Sequence, residues 1–231
     1  MRGLEQVIDL WERQFGRSLP EKIVCVGRNY HDHAAEQGVE PPAEPLLFAK
    51  LANAVCGPHD EIVLAPGHVD AEAELAIVIG TSGRKVTVDD ALGLVEGYTV
   101  ANDVSARDFQ FRDGQWLRAK SFDTFRPLLP EIVPVSDLGE AGDLRIAQRV
   151  NGETLQDSST GALIFGVREL VAHVSTVFTL RRGDLILTGT PAGVGIFRDP
   201  PMPLAAGDQV EIELEGIGVL ENPVSKTGTG R

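Results

Sequence analysis

Residues 70–80, DAEAELAIVIG, carry the two signals from which fold and chemistry can be worked outward. The part from Glu72 onward reads as a long strand whose remainder is apolar. At its entry, Asp70, Glu72 and Glu74 are spaced by two, so the period-two alternation of a strand puts three carboxylates on one face within about 13 Å. Such a trio is a solvated strand edge, or else a cation sits among the charges, because like charges so placed repel.

Around this strand the chain reads as sheet with a few helices. Other strands are read in KIVCVG at 22–27, LLFAK at 46–50, EIVLA at 61–65, EGYTVANDV at 96–104, DLILTGTP at 184–191 and the strictly alternating VEIEL at 210–214. RIAQRVNGETLQD at 145–157 places Asn151-Gly152 between two alternating arms, a strong hairpin signal. Helices are expected from Leu4, Val7, Ile8, Trp11 and Phe15, and again from Val167, Leu170, Val171, Val174 and Phe178, both at three- and four-residue steps. With no regular βαβ rhythm, the fold class is α+β and β-rich, one domain with a large mixed or antiparallel sheet. We divide it as a helical extension over 1–20 that packs as an appendage, a main domain over 21–224 and a mobile tail over 225–231.

Against 21 Lys and Arg stand 34 Asp and Glu, a net charge of −13, which argues against nucleic acid or an anionic membrane surface as partner. No apolar run reaches the roughly 18 residues of a membrane span, and the N-terminus lacks a signal-peptide pattern. Cytoplasmic residence is therefore the expectation. Cys25 and Cys56, the only cysteines, suit reduced core thiols better than a disulfide or a zinc site.

A second acidic element is Asp103, near the end of the strand read at 96–104, with Arg107 one turn on; Asp103 is a helix cap or a metal ligand. If it meets Glu72 and Glu74, three oxygen donors without Cys or His specify a hard ion, Mg²⁺ or Mn²⁺ before zinc. In GRNYHDHAAEQG, His33 and Glu36 share a helix face, so the carboxylate could orient the imidazole; the bland alternative is a polar surface helix. Lys50 and Lys120 either snorkel to solvent or hold a substrate carboxylate. LTGTPAGVG at 187–195 is a Gly-rich turn without the Gly-Lys-Ser/Thr of a phosphate loop, yet its N–H groups and Thr190 could bind an anion.

Six segments in order, VGRNYHDHAAE, EAELAIVIG, GYTVANDVSARDFQ, RAKSFDTFRPLLP, VNGETLQDSST and GDLILTGTPAGVG, make residues 22–224 resemble the fumarylacetoacetate hydrolase superfamily, in its short acylpyruvase-like branch. The resemblance implies a rolled mixed sheet, a homodimer, and Glu72, Glu74 and Asp103 as ligands of a divalent ion, usually Mg²⁺, with Mn²⁺ or Ca²⁺ as substitutes. It also implies His33 with Glu36 as a water-activating dyad on a segment that closes over ligand, and Lys120 as a metal-proximal catalytic lysine. Arg28, Tyr30, Lys50, Arg107, Gln110 and Thr190 become the substrate-binding set, while Asp70 has no role assigned. Leu51-Ala52 replaces a frequent Pro-Ser, and Ala119 and Ser121 stand where glycines flank the lysine. The expected activity is metal-dependent carbon-carbon hydrolysis of an acylpyruvate through a metal-stabilised enolate, on a small anionic 2-oxo acid. Behind it come isomerisation of a 2-hydroxy-diene-dioate and decarboxylation of oxaloacetate, and, from another class, a non-catalytic metal-binding β domain.

Overall fold

The structure, a computed structural model, describes residues 3–226. From the N-terminus run α1 (Gly3–Phe15), β1 (Ile23–Gly27), α2 (His31–Glu36), β2 (Leu46–Lys50), β3 (Val55–Cys56), β4 (Ile62–Val63), β5 (Val69–Asp70) and β6 (Ala73–Ile79). The middle holds β7 (Val95–Asn102), β8 (Ser105–Ala106), α3 (Arg107–Asp113), α4 (Leu117–Lys120), β9 (Arg126–Pro127), β10 (Val133–Pro134) and α5 (Val135–Leu138). Then follow β11 (Arg145–Val150), β12 (Glu153–Ser159), α6 (Val167–Val177), β13 (Leu185–Leu187), β14 (Gln209–Leu214) and β15 (Gly218–Ser225). The β-rich α+β reading holds, and among the described residues no helix is long and apolar enough to cross a membrane.

One mixed sheet has the order β10-β7-β6-β13-β1-β2, with β1 and β13 parallel; a second has the order β12-β11-β14-β15-β4. From Leu75 onward strand β6 is apolar because both of its faces are covered. Leu75, Ile77 and Ile79 join the core shared with Ile146, Ile212, Leu214 and Leu220 of the second sheet. Ala76 and Val78, on the opposite face, pack with Ile23, Cys25 and Leu187 under Val7 and Trp11 of α1.

Helix α1, expected as an appendage ahead of the main domain, packs on this face of the sheet. Trp11 is fully buried, and its indole N–H donates to the Gly183 carbonyl at 3.0 Å. The first turn of α1 is capped from a distance by Asp60, whose carboxylate accepts from Gly3 N at 3.1 Å and Leu4 N at 2.6 Å. The amphipathic stripe shows that a helix buries one side; only the fold shows that the side closes the main sheet.

The hairpin forms as expected, with Asn151 and Gly152 both at positive φ, 53° and 81°, as a type I′ turn requires. Strand β15 has no counterpart in the sequence reading, since Pro223 breaks its pattern, yet it pairs along β14 and, through Ser225, with β4. Ser225 thus belongs to sheet, and the tail expected from 225 lies, beyond Lys226, outside the described residues.

Candidate active site and metal centre

Antiparallel pairing of Ala73 with Asn102 brings the ends of β6 and β7 together, so Glu72 and Asp103 become neighbours across the strands. Asp103 N donates to the Glu72 carbonyl at 2.9 Å, and the Asn102 side chain accepts from Glu72 N at 3.0 Å. Glu74, two residues along, completes the group. One carboxylate oxygen from each of Glu72, Glu74 and Asp103 lies within 4.8 Å of the others, and all three residues are buried.

Buried carboxylates need positive charge nearby. Lys120 Nζ donates to Glu72 Oε2 at 2.7 Å and to Asp103 Oδ2 at 2.6 Å. Lys50 pairs with Asp103 and donates to the Val104 carbonyl at 2.9 Å, while Arg107 pairs with Glu72 and donates through Nε to Asp70 Oδ2 at 2.7 Å. Burial pushes the Asp103 and Glu72 carboxyls up, but Lys120, joined by Lys50 at Asp103 and Arg107 at Glu72, outweighs it and holds both below the ordinary carboxylate range. Burial likewise works against the Lys120 ammonium, yet Asp103 and Glu72 leave it above its usual value. Burial pushes Lys50 down to about 8 despite the Asp103 carboxylate.

Glu74 is the exception. Burial, reinforced by Asp103 and Glu72, raises it well above the carboxylate range, and among the described residues its one donor is Gly189 N–H at 3.0 Å. A buried carboxylate without a cationic partner, facing two others, is the mark of a place where a cation completes the balance. With oxygen donors alone, the set suits a hard divalent ion.

Across from this cluster stands α2. His33 Nδ1 lies 2.9 Å from Glu36 Oε2, and Glu36 Oε1 accepts from Gly193 N at 2.8 Å. That last bond needs a glycine, because φ at Gly193 is +103° and a Cβ there would stand 1.9 Å from the Leu155 carbonyl oxygen. The same loop brings Phe197 edge-on to the His33 ring, centroids 5.8 Å apart. Gln156, reaching from β12, holds the loop to β6: it accepts from Ala73 N at 2.9 Å and donates to Thr190 Oγ1 at 2.8 Å.

A cavity of about 250 Å³ lies between the two groups, lined by His33, Glu72, Glu74, Lys120, Arg107 and Gln110, with Arg28 and Thr190 also on its wall. Phe48, Trp116 and Phe197 supply apolar wall. Of the expected substrate contacts, Lys50 and Tyr30 are not on that wall. Lys50 is sealed behind Asp103, and Tyr30 is fully buried, its hydroxyl without a partner among the described residues. Asp70, expected beside Glu72 and Glu74, instead ties Arg107 to His68, 2.7 Å away, and at 1% exposed it is no solvated edge. The departures at Leu51 and Ser121 meet each other, Leu51 N donating to Ser121 Oγ at 3.1 Å. Sequence reasoning missed Gln37, Gln156 and His68. Of these only Gln37 had a signal, its position four residues after His33.

Residues 22–225 match the family described as fumarylacetoacetate (FAA) hydrolase C-terminal. Over 209 residues the chain is 51% identical to the mitochondrial oxaloacetate tautomerase FAHD2A of Bos taurus, covering 89% of this chain and 67% of that one. The Homo sapiens protein of that name is 49% identical over 209 residues, with the same two coverages, 89% and 67%. The chain thus spans about two thirds of the length of these relatives. Among solved structures, 5-carboxymethyl-2-hydroxymuconate delta-isomerase from Mycobacterium smegmatis superposes with a TM-score of 0.81 at 46% identity, covering 91% of this chain and 81% of that one. Fumarylpyruvate hydrolase from Pseudomonas aeruginosa, in complex with Mn²⁺ and pyruvate, gives 0.82 at 35% identity, covering 90% and 91%.

Proposed function

The chain belongs to the fumarylacetoacetate hydrolase family, and from that premise we propose that it is a divalent-metal-dependent tautomerase interconverting the keto and enol forms of a small 2-oxo dicarboxylic acid of the oxaloacetate type. The observation that carries the reading is a single cavity in which the His33–Glu36 pair faces Glu72, Glu74 and the Lys120 ammonium. The relatives near 50% identity that are named oxaloacetate tautomerases support proton transfer as the reaction.

Glu72, Glu74 and Asp103 would hold the ion, Mg²⁺ in first place, and when bound it supplies Lewis acidity toward the oxygens of the 2-oxo acid. Glu36 accepts from His33 Nδ1–H and so leaves the Nε2 lone pair as the base. His33 Nε2 takes a proton from C3 of the substrate, the C–H electron pair becomes the C2–C3 double bond, and the imidazolium returns its proton to the C2 oxygen. Lys120, kept as an ammonium by Glu72 and Asp103, offsets the negative charge that develops at that oxygen. Arg107, Gln110, Arg28 and Thr190 are placed to bind the carboxylates. Charge favours a dicarboxylate. Four buried carboxylates, Asp70, Glu72, Glu74 and Asp103, stand against four buried cations, Lys50, Arg107, Lys120 and Arg126, the last acting through space on Asp103 and Glu74, so a divalent ion leaves two positive charges for a dianion to neutralise.

Hydrolysis of an acylpyruvate, placed first from the family resemblance, becomes the second reading. It is favoured by the same dyad, which can activate water, and by the likeness to a fumarylpyruvate hydrolase. A homodimer belongs to the same proposal. The test is to supply enol-oxaloacetate and acetylpyruvate with Mg²⁺ or Mn²⁺ and follow ketonisation, pyruvate release and acyl cleavage separately. The proposal expects ketonisation well above the buffer rate, lost with EDTA and in His33→Ala. Cleavage of acetylpyruvate without accelerated ketonisation would transfer the assignment to hydrolysis.

A further inference from the structure

Gln37 belongs neither to the carboxylate cluster nor to the His33–Glu36 pair, yet its side chain lines the cavity and its carboxamide nitrogen lies 2.7 Å from His33 Nε2. An ionised Glu36 can only accept, so Nδ1 carries the ring hydrogen and Nε2 the lone pair. The Gln37 N–H therefore donates to the one basic site of the imidazole. Both partners sit on α2 and its C-cap, four residues apart, so the bond is intramolecular and within one turn. A hydrolytic water activated by His33 has to stand at hydrogen-bond distance from Nε2, about 2.6–3.2 Å. The carboxamide nitrogen already occupies that shell.

We propose that Gln37 determines reaction specificity by capping His33 Nε2 in the place of the hydrolytic water and yielding it only to an anchored substrate. This inference rests on His33 being the base of the proposed function. In hydrolysis a water proton goes to Nε2 while the water oxygen bonds to the distal carbonyl, and that water must displace a tethered donor. In tautomerisation the displacing group is C3–H of a substrate already held by its carboxylates, no water is consumed, and the released Gln37 N–H can donate to the carboxylate beyond C3. The cap thus disfavours addition of water more than movement of a proton.

Two variants and two readouts test it. Gln37→Ala opens the position, and Gln37→Met fills it without an N–H. In metal-free protein, nitrogen-resolved NMR follows the His33 imidazole. The cap donates to Nε2, so at one fixed pH the Nε2 resonance should shift in both variants relative to the wild type. With Mn²⁺ present, the ratio of acetylpyruvate cleavage to oxaloacetate ketonisation should rise about tenfold in Gln37→Ala, the worth of one ordinary hydrogen bond at its upper range, and less in Gln37→Met. An unchanged ratio in Gln37→Ala, or an unchanged His33 Nε2 resonance, overturns the proposal. If the wild type ketonises nothing but the Nε2 resonance moves, the cap stands and the tautomerase assignment fails, so the two failures are distinguishable.

Discussion

Replacing Glu74 by Gln should stabilise the metal-free protein and destabilise the metal-loaded one. Glu74 is 1% exposed, faces Asp103 and Glu72, and is raised by burial and by both carboxylates. Because its native value lies above the unfolded one, near 4.3, the native state holds the proton more tightly. Its contribution to stability is therefore present at low pH and is lost as pH rises from the ordinary carboxylate range toward the raised native value. Relieving one buried, under-partnered carboxyl at pH 8 is worth about 2 kcal/mol, or about 4–8 °C in melting temperature for a chain of this size. Saturating metal at about 100 times Kd adds about 2.7 kcal/mol to the protein that binds it. Thermal melts of wild type and Glu74→Gln at pH 5 and pH 8, with EDTA and with excess Mn²⁺, read both effects. In EDTA the wild type should lose stability between the two pH values and the variant much less; Mn²⁺ should reverse the order of the two proteins at pH 8. A variant less stable than wild type in EDTA at pH 8, or Mn²⁺ stabilising both equally, would refute the reasoning.

Trp11→Ala should cost about 3–5 kcal/mol in denaturant unfolding, the range for a buried large side chain, whereas an appendage helix would cost little. Lys120→Met should lower kcat about 10²–10³-fold, as loss of one preorganised donor to a developing oxyanion does; steady-state assay at saturating metal checks it. Asp70→Asn should raise KM about tenfold with a smaller change in kcat, since it loosens Arg107 without touching His33; equal losses in both constants would count against a positioning role.

Much of the frame was legible because it rests on local rules. The apolar run of β6, the Asn151-Gly152 turn and the stripe of α6 each report a period or a dihedral demand that a short segment settles alone. Glu72 and Glu74 share a face by alternation. That Asp103 joins them depends on the register of Ala73 with Asn102, which period alone does not supply and which the family resemblance anticipated. What stayed hidden is what tertiary packing decides. Asp70 follows the same alternation yet turns to Arg107 and His68. Lys50 at a strand end looks free to meet solvent or substrate until Asp103 and Val104 enclose it. The covering role of α1 and the pairing of β15 across Pro223 likewise depend on partners far along the chain.

The most direct test of the account is Mn²⁺ binding followed by electron paramagnetic resonance, which reads the free aquo ion as metal is titrated into wild type and Asp103→Asn. The account predicts one Mn²⁺ bound per chain, displaced by excess Mg²⁺, and binding weakened at least tenfold in the variant. Mn²⁺ that stays free with the wild type, or binds the variant as tightly, would contradict it.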